Sequence, residues 1–341
     1  MRKKFLLGSL VLGVLVSVLA YQKYKSIMLP NVPDQLEQTT LFIYPESSFA
    51  QIRETLFENN QIIDSASFSW VANLMRFGDG NIKAGKYELI PSMSNRELIT
   101  MLRSGAQEPV KLVLTHGWLL EDVAAKASLY IRPDSAEIMS TFLNEEYLHS
   151  IGHSYESLMS IFIPNTYEMY WTADTKAFLT RMNKEHDRFW KSHDRMAKAE
   201  ALGLSPAEVY TLASIVEREV SKESEKKRVA GLYLNRINTG MRLGADPTAK
   251  FATRDFQAKR ILYKHTRFDS PYNTYLYKGL PPGPISMASI TSIDAVLESE
   301  SHNYFYMCVD PDNPGYHLFA ETITEHNRNA QRYHQYLDNL E

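Results

Sequence analysis

The sequence has very little cysteine and little net charge: its 341 residues include one cysteine, Cys308, and carry a formal net charge of −3. A single cysteine excludes an intrachain disulfide, and its place in the apolar run YFYMCV favours a small core residue over a nucleophile. An oxidising compartment is therefore neither required nor excluded. Since no basic run or patch stands out, we expect no nucleic-acid partner.

Motifs that carry cofactor or metal chemistry are also absent from the sequence. It contains no G-x-x-x-x-G-K-[ST] phosphate loop and no G-x-S-x-G nucleophile elbow. Four histidines near the C-terminus are scattered over strand, loop and helix, and their spacing matches no compact set of metal ligands. They are His302, His317, His326 and His334. We therefore predict neither a metal ion nor a cofactor.

Only one long uncharged run is present, from Phe5 to Tyr21, and basic residues at positions 2–4 precede it. As a helix this run spans about 26 Å, slightly less than the hydrocarbon core of a bilayer. We interpret residues 1–25 as an uncleaved membrane anchor whose basic end lies in the cytoplasm. The alternative is a signal peptide cleaved after Ala20. Both interpretations export the residues from about 26 onward.

The rest of the chain divides by its pattern into a spacer and two folded parts. Residues 26–40 are polar, contain two prolines and predict the spacer. Residues 41–108 follow the order β-α-α-β and then a further helix, which resembles a LysM-like module, a small unit that binds peptidoglycan glycan in many proteins. A packing module without a ligand is the alternative. Residues 109–341 predict a mixed α/β domain with one long charged helix over 175–201, so the fold class is α+β.

The stretch SPAEVYTLASIVEREV, residues 205–220, carries the clearest helix signal in the chain. Ser205 and Glu208 form a capping box, and a proline occupies the first helical position. Apolar residues then recur at helical spacing, which predicts one buried face. The pattern ends with two carboxylates, Glu217 and Glu219.

These two carboxylates are the candidates for acid–base chemistry. A carboxyl group held against apolar packing has a raised pKa, which is the property that a general acid needs near neutral pH. The alternative is that both are solvated charges that balance Arg218 and Lys222. On a helical wheel Glu219 lies deeper in the apolar arc than Glu217, and the residues alone do not choose between them.

An ordered set of motifs, strongest over residues 205–341, resembles the endolytic murein transglycosylase (MltG, or YceG-like) family. Each motif alone is weak, whereas the ordered set is specific and extends over most of the chain beyond the spacer. The motifs are Ile163-Pro164-Asn165-Thr166-Tyr167, Leu212-Ala213-Ser214-Ile215-Val216-Glu217-Arg218-Glu219, Leu234-Asn235-Arg236, Asp246-Pro247-Thr248, Tyr272-Asn273-Thr274-Tyr275, Gly279-Leu280-Pro281-Pro282-Gly283-Pro284-Ile285, His317-Leu318-Phe319 and Glu325-His326-Asn327.

The resemblance implies roles for individual residues. It makes Glu217, the first glutamate of the SIVE-x-E motif, the catalytic acid, and Glu219 a supporting residue. Polar residues of the later motifs are candidates to line the cleft and bind the sugars. They are Asn235, Asp246, Thr248, Tyr272, Asn273 and Tyr275. Asp246 is also the candidate for the second carboxylate that a hydrolase needs.

The resemblance also implies a function. The catalytic domain over 109–341, with its core at 205–341, is expected to cleave the β-1,4 bond between N-acetylmuramic acid and N-acetylglucosamine in peptidoglycan. The product is a 1,6-anhydromuramyl end, and cleavage terminates nascent strands. The alternatives are a non-catalytic glycan-binding scaffold of the cell envelope and a muramidase that uses water.

The same resemblance sets the expected location and partners. We expect a single-pass protein of the cytoplasmic membrane, held by its N-terminal helix, with the catalytic part on the extracytoplasmic side. Peptidoglycan strands are the expected substrate, and cell-wall synthesis enzymes such as glycan polymerases are implied as protein partners.

Overall fold

The structure, a computed structural model, describes residues 2–258 and 260–338, with side chains described from residue 8 onward. Its helices are α1 Arg2–Met28, α2 Phe49–Glu58, α3 Ser65–Leu74, α4 Asn95–Ser104, α5 Leu120–Ala127, α6 Ser135–Phe142, α7 Glu145–Ser150, α8 Thr175–Lys191, α9 Arg195–Ala201, α10 Pro206–Glu219, α11 Glu223–Asn238, α12 Asp246–Thr253, α13 Tyr263–Thr266, α14 Ile290–Leu297 and α15 Ile323–Asp338, with a 3-10 helix at Leu158–Ile161. Its strands are β1 Thr40–Ile43, β2 Gly85–Glu88, β3 Val110–Leu114, β4 Asn165–Met169, β5 Tyr306–Val309 and β6 His317–Ala320.

Within the described residues the strands form three two-stranded sheets, β1–β2, β3–β4 and β5–β6. The chain divides into two compact units. The first unit comprises the residues up to Lys111 together with Glu168–Ala173, and the second comprises Leu112–Tyr167 and the residues from Asp174 onward. The predicted mixture of helix and sheet, with one apolar helix at the N-terminus, is confirmed.

The first unit contains the predicted order β1-α2-α3-β2. The two strands pair antiparallel, with Thr40 opposite Glu88 and Ile43 opposite Gly85. Alternate strand residues and the inner faces of α2, α3 and α4 build one core. Its largest fully buried members include Tyr87, Phe68, Leu41, Leu56 and Leu98. Because α1 continues past its apolar run to Met28, its last turns belong to the same packed unit, and Ile27 contacts this core.

The second unit is built around α10. The Ser205–Glu208 capping box forms as predicted, with reciprocal hydrogen bonds between side chain and backbone. Every residue from Val209 to Val216 is buried, so the middle of the helix is covered on all sides and not on one face only. It packs against α9, α11, α12 and α14. The residues after Val216, which include the two glutamates, are again partly exposed, as are those of the first turn.

The prediction of a single long helix over 175–201 is wrong, because the chain forms α8 and α9 with a break between them. His193 and Asp194 at the break have positive φ values of 58° and 57°, which are incompatible with a continuous right-handed helix. The break turns Arg195 inward, where its guanidinium makes two hydrogen bonds to Asp294 of α14, at 2.7 and 3.0 Å. The ion pair of Arg195 with Asp294 therefore lies where the single charged helix was predicted to continue.

The proline-rich loop before α14 packs directly onto α10. The backbone amide of Ile285 donates to Ser214 Oγ, and that of Ala288 donates to the Tyr210 hydroxyl. At Gly283 a Cβ atom would lie 2.0 Å from the carbonyl oxygen of Glu156, so only glycine permits this approach. The loop thus fixes the position of α14 against the end of α10.

Candidate active site

Glu217 cross-links three helices through one of its two carboxylate oxygens. Its Oε2 accepts hydrogen bonds from the Ser289 hydroxyl, from Ser292 Oγ at 2.5 Å and from Lys226 Nζ at 3.2 Å. Ser289 caps the N-terminus of α14, where the helix dipole also favours a negative charge. The Lys226 side chain is only 4% exposed, so this ion pair is poorly screened.

These contacts favour the charged form of Glu217. Burial alone raises the pKa of its carboxyl, but the hydrogen bonds from Ser289 and Ser292 and the charge of Lys226 outweigh burial and lower it. A raised pKa was expected here, and the pKa of Glu217 is lowered instead. Its role as the catalytic acid stays a prediction.

Glu219 has the property that was expected of Glu217. Burial, and secondarily the negative charge of Asp246, raises the pKa of Glu219 to about 7. The Tyr233 hydroxyl and the positive charges of Arg236 and Lys250 oppose this shift without cancelling it. Its Oε2 is buried and has no hydrogen-bond partner among the described residues. The deeper position of Glu219 on the helical wheel thus corresponds to a carboxyl group that is half protonated near neutral pH.

The two glutamates face different surroundings because of helix geometry. Side chains two residues apart on an α-helix point about 200° from one another. Glu217 consequently points to the starts of α11 and α14, whereas Glu219 points to the middle of α11 and the start of α12. Arg218 between them stacks over the Trp118 ring, with its guanidinium carbon 4.1 Å from the ring centroid.

Asp246 and Tyr275 lie on the Glu219 side of α10. Asp246 is the first residue of α12 and is exposed, and it accepts a hydrogen bond from the Tyr275 hydroxyl. Burial and the Asp246 charge raise the pKa of Tyr275, so its hydroxyl keeps its proton. The group of Glu219, Asp246, Tyr275, Arg236 and Lys250 therefore combines a protonatable carboxyl, a fixed carboxylate, a phenol donor and two cations.

Three predicted sugar-binding residues make hydrogen bonds within the fold. Thr248 and Asn273 are fully buried, with 0% of each exposed. Thr248 Oγ1 bonds the Ala245 carbonyl and Thr274 Oγ1, while Asn273 Nδ2 donates to the carbonyls of three residues in and just after α13, which are His265, Thr266 and Phe268. Asn235 Nδ2 donates to the carbonyls of His302 and Tyr304. Their amide and hydroxyl donors are thus engaged within the protein, and their contacts with sugar stay a prediction.

Tyr272, by contrast, lines an open cavity of about 450 Å³ near the C-terminal end of α12. Its ring packs on Phe251 with 4.7 Å between centroids, and Trp118, Tyr155 and Phe268 line the same cavity. Glu121 and Arg254 form an ion pair at its rim, 3.2 Å apart. Aromatic faces beside fixed charges are suited to bind a sugar ring. Within residues 2–258 and 260–338, no group of three His, Cys, Asp or Glu side chains is placed to hold a metal ion.

A comparison with protein families places the chain. The model of the YceG-like family matches residues 41–332. The chain belongs to the YceG-like family.

Individual members of the family and one solved structure agree with this placement. The endolytic murein transglycosylase of Bacillus subtilis (strain 168) is 26% identical over 329 residues, which cover 91% of this chain and 88% of that protein. That of Streptococcus pneumoniae serotype 2 (strain D39) is 26% identical over 362 residues, covering 96% of this chain but 65% of the pneumococcal protein, so this chain spans just under two thirds of that relative. A crystal structure of a YceG-like protein from Listeria monocytogenes superposes with a TM-score of 0.58 at 28% identity, covering 85% of this chain and 97% of that one.

Sequence reasoning missed three members of the site in this YceG-like protein. Tyr233 and Arg236 lie three residues apart on the face of α11 that meets Glu219, and Lys250 lies four residues after Asp246 on α12. Their i, i+3 and i, i+4 spacings place each pair on one helix face and were readable in the sequence. The spacing does not show which helix these residues contact. The packing of α11 and α12 against α10 shows it.

Proposed function

We propose that this protein is a membrane-anchored endolytic lytic transglycosylase that cleaves the bond between N-acetylmuramic acid and N-acetylglucosamine in peptidoglycan strands. Its relatives in Bacillus subtilis and Streptococcus pneumoniae are named endolytic murein transglycosylases. The observation that carries the proposal is the match of the YceG-like family model to residues 41–332, which include the motif that contains Glu217 and Glu219. We propose Glu217 as the catalytic acid, as the family resemblance implies; its side chain is 28% exposed, so a bound strand can reach it.

The proposed reaction uses one carboxyl group twice. A bound strand excludes water from Glu217, which raises the pKa of its carboxyl and favours the protonated form. Protonated Glu217 donates its proton to the glycosidic oxygen as the bond from that oxygen to the muramyl C1 breaks, which releases the leaving sugar with a free hydroxyl. The resulting carboxylate then accepts the proton of the muramyl 6-hydroxyl as its oxygen bonds to C1. The enzyme ends in its starting protonation state and no water is consumed. The transition state has oxocarbenium character, as in glycoside hydrolysis.

The groups on the Glu219 side of α10 have distinct roles in this scheme. The negative charge of Asp246 stabilises the cationic transition state. Tyr275 orients Asp246 through its hydroxyl. Glu219 is a supporting residue, whose pKa is raised by burial and, secondarily, by Asp246. We place a sugar ring of the strand in the aromatic cavity lined by Tyr272.

Glu219 is the alternative candidate for the acid. Burial and the charge of Asp246 raise its pKa to about 7, whereas its Oε2 is buried and has no partner among the described residues. The bonds of Glu217 to Ser289, Ser292 and Lys226 hold its carboxylate between α10, α11 and α14. A direct comparison of the two glutamates is therefore the central test.

The N-terminal part supports an anchored enzyme. Gly8–Met28 is long and apolar enough to cross a membrane, and its 18-residue apolar window is 0% buried in the protein. We propose that α1 is a single-pass anchor of the cytoplasmic membrane, with the units from residue 41 onward on the extracytoplasmic side. The module over 41–108, with its β-α-α-β order, is proposed as LysM-like, and residues 109–341, with their core at 205–341, as the catalytic domain.

The test is digestion of purified peptidoglycan sacculi by the detergent-solubilised wild type and by Glu219→Gln and Glu217→Gln, followed by mass analysis of the released fragments. We expect 1,6-anhydromuramyl ends from the wild type, none from Glu217→Gln and a reduced yield from Glu219→Gln. The reverse order of the two variants would transfer the acid to Glu219. Reducing ends, heavier by one water, would identify a muramidase with Asp246 as its second carboxylate. Glycan binding without any cleavage by folded wild type would identify a scaffold.

A further inference from the structure

The register between α1 and α3 in the first unit is set by two contacts. Asn95 Nδ2 donates to the Ser26 carbonyl at 2.9 Å and to Ser67 Oγ at 3.0 Å, which places Ser67 of α3 level with Ser26 of α1. Lys23 Nζ lies 3.7 Å from the centroid of the Trp70 ring, which places Trp70 level with Lys23. Moving from Ser67 to Trp70 along α3 therefore corresponds to moving back from Ser26 to Lys23 along α1.

The two helices consequently run antiparallel, and the C-terminal end of α3 points towards the apolar run of α1. A helix rises about 4.5 Å over three residues, so the distance between the two contacts is the same along α1 and along α3. Leu74 lies four residues beyond Trp70, or about 6 Å further. The same step along α1 leads from Lys23 to Leu19, which belongs to the uncharged run that ends at Tyr21.

Leu74 is an exposed apolar residue at the level of the uncharged run of α1. Its exposed fraction is 58%, although it terminates a helix whose inner face is buried. Tyr21 and Tyr24 of α1 are exposed at the neighbouring levels, 62% and 56%, and Trp70 lies beside Lys23. Tyrosine and tryptophan concentrate where the hydrocarbon core of a bilayer meets its headgroups.

Cations surround Leu74 at the same end of the unit. Arg76 follows it and is exposed. Arg103, at the end of α4, donates to the Met75 carbonyl at 3.0 Å, and Lys83 donates to the Ser104 carbonyl at 3.1 Å. The acidic residue of this loop, Asp79, accepts a hydrogen bond from the Phe49 amide at the start of α2. Three positive side chains and one engaged carboxylate leave this end net positive.

We propose that this end of the first unit is a membrane-facing edge, defined by Leu74, Arg76, Lys83 and Arg103, that contacts the bilayer in which α1 is anchored. Leu74 inserts at the boundary between headgroups and acyl chains, and the three cations bind anionic phospholipid headgroups. The inference rests on the proposed anchoring of α1. Its occupant is the bilayer, since the register with α1 brings Leu74 to the level of the apolar run.

The experiment labels the full chain with an environment-sensitive fluorophore in nanodiscs that contain phosphatidylglycerol and spin-labelled lipid. The background is Cys308→Ser, which removes the one native cysteine. Single cysteines are then introduced as Leu74→Cys, Leu19→Cys and Ile63→Cys. Ile63 is the matched control, because it is 62% exposed and precedes α3 at its opposite end.

We expect strong quenching by spin-labelled lipid at position 19, clear quenching at position 74 and at least fivefold less at position 63. Quenching at position 19 with equal, weak quenching at positions 74 and 63 would overturn the inference and leave the anchor intact. No quenching at position 19 would overturn the anchoring proposal and the inference with it.

The contribution of the cations is tested with Arg76→Glu combined with Arg103→Glu, and with nanodiscs made of phosphatidylcholine alone. Each change is expected to reduce quenching at position 74 while quenching at position 19 stays constant. Quenching at position 74 that is unaffected by both changes would contradict the anionic-headgroup part of the proposal.

Discussion

Glu217 and Glu219 are separated by one residue at the end of α10, and the pKa values of their carboxyl groups are shifted in opposite directions. Glu217 has a lowered pKa because two serine hydroxyls and Lys226 hold its charged form, whereas burial and Asp246 raise the pKa of Glu219 to about 7. The difference arises from which helices each side chain meets. We make four predictions about the candidate site, each with a measurement that checks it.

The first prediction concerns the roles of the two glutamates. Glu217→Gln removes the proton that is transferred, so the rate of anhydromuramyl release should fall about 10²–10⁴-fold. It also leaves the buried Lys226 without a charged partner on α10, so it should lower the free energy of unfolding by about 2–3 kcal/mol. Glu219→Gln should retain activity in its folded fraction, with the thermal midpoint unchanged or raised. The rate is measured by mass analysis of digested sacculi, and stability by thermal unfolding.

Two outcomes would contradict this assignment. One is a folded Glu217→Gln protein that retains wild-type turnover. The other is a stable Glu219→Gln protein that has lost all activity, since a supporting residue acts through the fold.

The second prediction concerns the pH dependence of stability. The pKa of Glu219 is about 7 in the folded protein, against 4.5 for an unperturbed glutamate. Between these values the folded state binds a proton that the unfolded state has released. The associated stability is fully present below about pH 4.5 and is lost as pH rises through about 7. Glu219→Gln should therefore gain up to roughly 3 kcal/mol over the wild type between those two pH values.

Glu217 provides the internal control for this pH profile. Its lowered pKa contributes stability above about pH 4.5 that is lost only as pH falls further, so its window does not overlap with that of Glu219. Denaturant unfolding in detergent from about pH 2 to about pH 8 measures both. Parallel profiles for the wild type and Glu219→Gln across pH 5–7 would refute the raised pKa.

The third prediction compares two tyrosines of one loop, Tyr275 and Tyr277. The hydroxyl of each donates a hydrogen bond to an aspartate. Tyr275 donates to Asp246 in the site, while the exposed Tyr277 donates to Asp269 at 2.6 Å. Tyr275→Phe frees the Asp246 side chain, so kcat/KM should fall about tenfold, which corresponds to one charge-assisted hydrogen bond. Tyr277→Phe removes the same kind of bond and should leave kcat/KM unchanged. Equal effects of both changes would show that the Tyr275 bond only stabilises the loop.

The fourth prediction tests the structural role given to Asn273. Asn273→Ala leaves three loop carbonyls without their amide donor and should lower the free energy of unfolding by about 2–3 kcal/mol. The KM of the folded fraction should not change, because the side chain is buried. Lys278→Ala, an exposed change on the same loop, should stay within about 0.5 kcal/mol of the wild type. A stable Asn273→Ala protein with a raised KM would restore Asn273 as a sugar contact.

The local elements of the fold were predictable because their causes lie within a few residues. The Ser205–Glu208 capping box, the β-α-α-β order and the long apolar helix at the N-terminus all follow from neighbouring side chains and periodicity. The break between α8 and α9 was not predictable in this way. It depends on Asp294, 99 positions after Arg195, and no local pattern contains that partner.

The sequence by itself determined the family, the helix that carries the two glutamates and the loop motifs that meet it. The tertiary structure alone decided which glutamate has the raised pKa, and which motif residues are buried in the loop instead of facing the cleft. The physical reason is that a pKa depends on desolvation and on charges brought within a few ångströms by packing. Lys226, Ser289 and Ser292 reach Glu217 from 9, 72 and 75 positions away, and Asp246 approaches Glu219 from another helix.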